Sequence, residues 1–203
     1  MLSHLRASNF NNSFLKFVGQ DPVHSFTDDR TLERRCRFDR NIFFLIEDDV
    51  PVAVLCVAFT QGLPDIIDGI LENDSEVALD ASHAIFYSVF RTDTPCTIHN
   101  AGAKLIREAA HWIKDHMPQI TNFVTMSPIP NLSAHFTEPP SLDAIMEFLQ
   151  AQKDPVAKFH IRNGAKILRT IPNADKSERR SAQSYGVMAN YDYTSYVLGD
   201  PKQ

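Results

Sequence analysis

Apolar residues recur along this chain with two different periods. From residue 101 to 118, Leu105, Ile106, Ala109, Ala110, Ile113 and Met117 fall at three- and four-residue steps, and Lys104, Arg107, Glu108, Lys114 and Asp115 take positions between them. That stripe predicts an amphipathic helix over about 102–117, which Pro118 closes. Elsewhere the apolar residues come in short β-branched and aromatic blocks at 41–47, 52–60, 83–90 and 120–126, and these predict strands. Asp48-Asp49-Val50-Pro51 separates the first two and predicts an antiparallel hairpin. The succession of strand 83–90, helix 102–117 and strand 120–126 predicts a parallel pair, so the sheet should be mixed. Further helices are expected at 13–19, 28–36, 64–71 and 141–152, an acidic loop at 72–80, a strand at 165–171 and a long final strand at 185–197. No repeat or linker divides the pattern, so it reads as one α/β (α+β) domain over 1–203, a mixed central sheet flanked by helices.

Composition narrows the function more than the fold. The 203 residues are 43% hydrophobic and 22% charged, an ordinary globular balance that can fill a core. A formal net charge of -5 disfavours nucleic acid and membrane surfaces as partners, since both select clustered positive charge. The short basic cluster Lys176, Arg179 and Arg180 includes Glu178 and is expected to be a solvated loop. Cys36, Cys56 and Cys96 are odd in number and lack ligand spacing, which argues against a disulfide framework or zinc site and for a reducing compartment. His24, His83, His99, His111 and His135 share no ligand spacing either, so no metal is expected. No apolar run approaches the roughly 20 residues a bilayer needs. A cytoplasmic location follows, with the mitochondrial matrix as the other compartment because Arg6 and Lys16 stand among the first twenty residues without an acid.

Candidate chemistry lies in the second half. Strand 120–126 runs into Ser127-Pro128-Ile129-Pro130, and the prolines are expected to open the sheet at the serine and leave its hydroxyl facing a crevice. Thirty-three residues later His160 lies near the end of a predicted helix that Asp154 can cap, Pro155 can start and Asn163-Gly164 can stop. A helix carboxyl end favours imidazolium by up to about 1 kcal/mol when exposed, whereas burial pushes the other way. Ser127 and His160 are expected to share one pocket.

These two segments resemble the catalytic domain of malonyl-CoA decarboxylases, in which a serine precedes Pro-Ile-Pro and a later stretch reads Phe-His-x-x-Asn-Gly-Ala. Val23-His24 with Arg34-Arg35-Cys36, Ala84-Ile85-Phe86-Tyr87-Ser88 and Gly186-Val187-Met188-Ala189-Asn190-Tyr191-Asp192-Tyr193 resemble three more of its stretches in the same order. The resemblance covers about residues 15–196. It implies the acyl-CoA-binding fold of the N-acetyltransferase superfamily (GNAT), without the family's helical amino-terminal domain, which is expected to be absent and leaves an oligomer possible. It also implies a carboxy-lyase of fatty acid metabolism acting on malonyl-CoA or a malonyl-carrier protein. On this basis His160 polarises the thioester and delivers a proton, Ser127 holds the carboxylate, and Tyr193 lines the site. Asn163 and the loop residues His99, Asn100, Ala101, Gly102 and Ala103 bind substrate.

Departures from the family pattern leave two other functions open. Pro95 and Ile98 stand where glycine is usual in the loop, which removes one N–H donor and restricts close approach of phosphate. Asn100 replaces a glutamate or serine, and Asn131 replaces the glycine after Pro-Ile-Pro. A non-catalytic acyl-CoA or acyl-carrier-binding protein fits these changes, and an acyltransferase is the third possibility. Decarboxylation itself needs no cofactor, because the thioester carbonyl accepts the electrons that carbon dioxide leaves behind; coenzyme A enters only as part of the substrate.

Overall fold

The computed structural model describes residues 2–5, 12–24, 40–71 and 80–199. In chain order the elements are β1 (Leu2–Leu5), α1 (Asn12–Val18), β2 (Arg40–Glu47), β3 (Val50–Thr60), α2 (Asp68–Leu71), β4 (His83–Arg91), α3 (Ala101–His116), β5 (Asn122–Thr125), β6 (Ser127–Pro128), α4 (Leu132–His135), α5 (Leu142–Gln150), α6 (Pro155–Arg162), β7 (Lys166–Ile171), α7 (Glu178–Ser184), β8 (Met188–Asp192) and α8 (Thr194–Leu198). The architecture is α/β, a mixed sheet flanked by helices, as the periodicities predict. The predicted helix 28–36, the stretch Arg34-Arg35-Cys36 and most of the acidic loop lie outside the described residues. Backbone contacts divide the chain into two compact units, one from Met1–Leu63 and Leu71–Phe123, the other from Pro64–Ile70 and Val124–Gln203.

In the first unit β1, β2, β3 and β4 pair antiparallel in that order. The β2–β3 hairpin turns on two residues, Asp48 and Asp49, both left-handed with φ 49° and 63°. Aspartate tolerates that region better than most residues, and a two-residue turn of this hand matches strand twist. The second strand therefore begins at Val50 rather than Val52, and a bulge between Leu45 and Ile46 brings Pro51 opposite Ile46. Helix α3 packs on β2, β3 and β4 through Leu105, Ile106, Ala109, Ala110 and Ile113, all buried. Each such leucine or isoleucine contributes roughly 1.5–3 kcal/mol by leaving water.

The second unit is organised around β8. It pairs antiparallel with β5 at Val124–Asp192, with β6 at Ser127–Ala189 and Pro128–Met188, and with β7 from Lys166–Asp192 to Ile171–Met188. The expected long final strand is much shorter. Tyr185 at φ 54° and Gly186 at φ 71° make a left-handed entry, and a Cβ on Gly186 would stand 2.9 Å from the Asp175 carbonyl oxygen. At the other end the Asp192 carboxylate accepts from the Thr194 N–H at 2.8 Å and turns the chain into α8. The expected solvated loop around Arg179 is instead helix α7, capped by Ser177, and Arg180 is buried with its Nε 3.8 Å from Asp175. Charge alone gave no sign of this, because the pairing is made by a residue in the preceding turn. Among the described residues no helix is long and apolar enough to cross a membrane, and Cys56 and Cys96 are free thiols.

Candidate active site

The second unit brings Ser127, His160 and Tyr193 together. Ser127 opens β6, and its hydroxyl lies 3.1 Å from His160 Nε2. His160, in the last turn of α6, places Nδ1 2.9 Å from the Tyr193 hydroxyl just beyond β8. The cluster is buried, with Ser127 6% and His160 3% exposed. Pro128 does not end the pairing as expected, because it lies opposite Met188 on β8; the serine is consequently enclosed by hydrogen-bonded partners.

Burial also decides the charge of the histidine. Desolvation pushes the His160 imidazole down to about 3, so the ring is neutral near pH 7. A helix carboxyl end offers at most about 2 kcal/mol to imidazolium, less than burial removes from a ring whose two nitrogens meet the Ser127 and Tyr193 hydroxyls. Tyr191 stacks on the imidazole, with centroids 4.6 Å apart and planes inclined by 24°. Burial, and then the Asp154 charge and Tyr193, push the Tyr191 phenol upward, and its hydroxyl is buried with no hydrogen-bond partner among the described residues.

Asp154 holds the two site-bearing segments in place. As the cap of α6 its carboxylate accepts from the Val156 and Ala157 N–H groups at 2.8 and 3.1 Å, and its second oxygen accepts from the Asn131 N–H at 3.2 Å, just after Pro-Ile-Pro. Burial pushes this carboxyl up while the three donors pull it back. Asp154→Ala strands those donors and is expected to cost about 2 kcal/mol, the sum of a lost cap and a lost buried bond. A urea unfolding series measures it, and Asp154→Asn should lose less.

Sequence patterning missed Thr125. The Ser127 hydroxyl donates to Thr125 Oγ1 at 2.9 Å, and the Tyr191 N–H donates to the same oxygen at 3.2 Å. Period-two spacing could have found it, since residues 125 and 127 share a strand face, as do 191 and 193. Asn163 ends α6, and its side-chain amide donates to the Phe159 carbonyl at 2.7 Å.

The other expected binding residues lie in the first unit. His99 and Asn100 are exposed, Ala101 and Ala103 are buried, and Gly102 is half-buried at the start of α3. Asn100 precedes the helix at φ 53° without a side-chain cap bond. Several donors of the preceding loop are already engaged: Asp93 N–H with Gln20, Thr94 N–H with the Thr92 hydroxyl, and Thr97 N–H with Glu47, whose carboxylate also accepts from the Thr97 hydroxyl.

An α/β domain with this element order belongs with GNAT-like folds. The structure matches the GphF GNAT-like decarboxylase solved in complex with isobutyryl-CoA at TM-score 0.65 and 15% identity, over 95% of this chain and 97% of that one. It matches malonyl-CoA decarboxylase from Rhodopseudomonas palustris at TM-score 0.78 and 25% identity, over 98% of this chain and 60% of that chain. In sequence, the mitochondrial malonyl-CoA decarboxylase of Anser anser anser is 23% identical over 240 residues, 85% of this chain and 47% of that protein. A family model for the malonyl-CoA decarboxylase C-terminal domain matches residues 7–153 and 142–199. The chain belongs to that family. It spans about half the length of the curated relatives it matches.

Proposed function

We propose that this chain decarboxylates malonyl-CoA to acetyl-CoA and carbon dioxide. The observation that carries the proposal is the buried array in which Ser127 and Tyr193 flank the two ring nitrogens of His160. A carboxylate turned out of the thioester plane can release carbon dioxide, passing the bonding electron pair into the carbonyl as an enolate. Ser127, whose hydroxyl turns from Thr125 to the incoming substrate, fits the role of holding that carboxylate, and a His160 N–H fits the developing oxyanion. The enolate carbon then takes a proton from His160. A neutral imidazole is acid enough for this step, because an enolate carbon is more basic than the nitrogen it deprotonates. The Tyr193 proton can follow onto Nδ1; once product leaves, solvent reprotonates Nε2 and the Nδ1 proton returns to Tyr193, so one proton is consumed per turnover and the account closes without an oxidant or reductant.

Purified protein incubated with malonyl-CoA and followed by mass spectrometry tests this directly. Acetyl-CoA and carbon dioxide in equal amounts are expected. Coenzyme binding without product would reduce the chain to an acyl-CoA-binding protein, and product only with an added amine would make it an acyltransferase.

A further inference from the structure

We propose that Thr125 is a positioning residue that selects the tautomer of His160, holding the proton on Nε2 and leaving Nδ1 as the acceptor. The four side chains Tyr193, His160, Ser127 and Thr125 form one hydrogen-bonded file, with successive separations of 2.9, 3.1 and 2.9 Å. A neutral imidazole has one N–H, so the file runs in one of two directions. With the Ser127 hydroxyl turned to Thr125, the serine oxygen is left to accept from His160 Nε2–H. Nδ1 is left without a proton and takes the Tyr193 hydroxyl as donor.

Acidity favours the same direction. A phenol is a far stronger acid than an aliphatic alcohol, so the best hydroxyl donor of the file meets its best acceptor, the bare ring nitrogen. In the reverse direction the weak serine donor would face the imidazole, and the phenol oxygen would be reduced to an acceptor.

Thr125 is itself held from β8. Its Oγ1 accepts the Tyr191 N–H at 3.2 Å, and its carbonyl accepts the Asn190 side-chain amide at 2.7 Å. Asn190 is in turn fixed by Arg169 Nε at 2.8 Å, and Arg169 also bonds Asp65 and the Pro64 carbonyl. These contacts occupy the gap between the β5 pairing at Val124 and the β6 pairing at Ser127. The interruption between these two pairings is filled by side chains that orient the threonine.

The catalytic consequence rests on the decarboxylase proposal, since only there does an Nε2 proton facing the serine have a carbon to reach; the tautomer does not. Uniformly 15N-histidine-labelled protein, with the His160 signals assigned by their loss in His160→Asn, reports which ring nitrogen carries hydrogen. Wild type is expected to show protonated Nε2 and bare Nδ1. Thr125→Val removes the acceptor, the Ser127 hydroxyl turns to the ring, and the proton moves to Nδ1. Turnover of malonyl-CoA should then fall about tenfold or more with KM within about twofold, the pattern of a misdirected rather than a missing group. Thr125→Ser keeps the hydroxyl and should restore both the tautomer and most of the rate. A wild-type spectrum with protonated Nδ1, or an unchanged tautomer in folded Thr125→Val, overturns the proposal. The wild-type spectrum decides without any variant, so a valine variant that failed to fold would not shelter it. Absence of turnover in every form, with the tautomers as expected, would count against the decarboxylase proposal alone.

Discussion

His160→Asn is expected to lower malonyl-CoA turnover by about a hundredfold or more, the usual scale for losing a positioned acid or oxyanion donor. The imidazole is bonded at both nitrogens inside a buried array, and an asparagine amide can keep part of this packing but cannot relay a proton between Tyr193 and substrate. Affinity should change little, because the proposed role of His160 is toward the reacting malonyl group alone. Ser127→Ala should also lower turnover, by less, since water can replace part of a bond to carboxylate. The double variant should fall short of the product of the two single losses, because both side chains act on one malonyl group. Stopped assays over a substrate series measure all three. An unchanged rate in folded His160→Asn would leave the residue a helix-end structural group and would limit the family relationship to fold.

Much of this site can be read from one-dimensional spacing, and what cannot is tertiary. Asp154, Pro155 and Asn163-Gly164 announce a short helix, and the structure gives Pro155–Arg162 with Asp154 as its cap. Ser127 could be placed because Pro-Ile-Pro must interrupt a strand, yet the expected crevice became a buried contact because β8 supplies partners on both sides of the interruption. The charge of His160 was undetermined in the sequence. Helix end and burial push it in opposite directions, and only the surrounding Tyr191, Tyr193 and Ser127 show that burial prevails. Thr125 escaped for a different reason: threonine is an ordinary strand residue, and its acceptor role appears only once Ser127 has been oriented. The basic cluster at 176–180 became a capped helix through Ser177 and the buried Asp175–Arg180 pair, contacts that net charge does not encode.

The same buried imidazole makes the fold sensitive to acid, and this is the largest expected effect on stability. In the unfolded chain histidine takes a proton near 6.5, whereas in the fold desolvation pushes His160 down to about 3. Between those values the unfolded chain binds the extra proton, so stability is fully present above about pH 6.5 and is lost as pH falls toward 3. The limiting slope for one such group is ~1.4 kcal/mol per pH unit, which over this window amounts to a loss on the order of 4 kcal/mol. Asp154 acts with the opposite sign, since burial raises its carboxyl and the fold therefore gains a proton first in acid. Comparing wild type with His160→Asn isolates the histidine, because every other titrating group is common to both. Urea unfolding midpoints taken between pH 7 and 4 should drop faster in wild type than in the variant, even if the variant starts lower from lost packing. Parallel pH curves for the two proteins would mean that His160 reaches a proton in the folded state, and the neutral, tautomer-ordered imidazole would have to be abandoned.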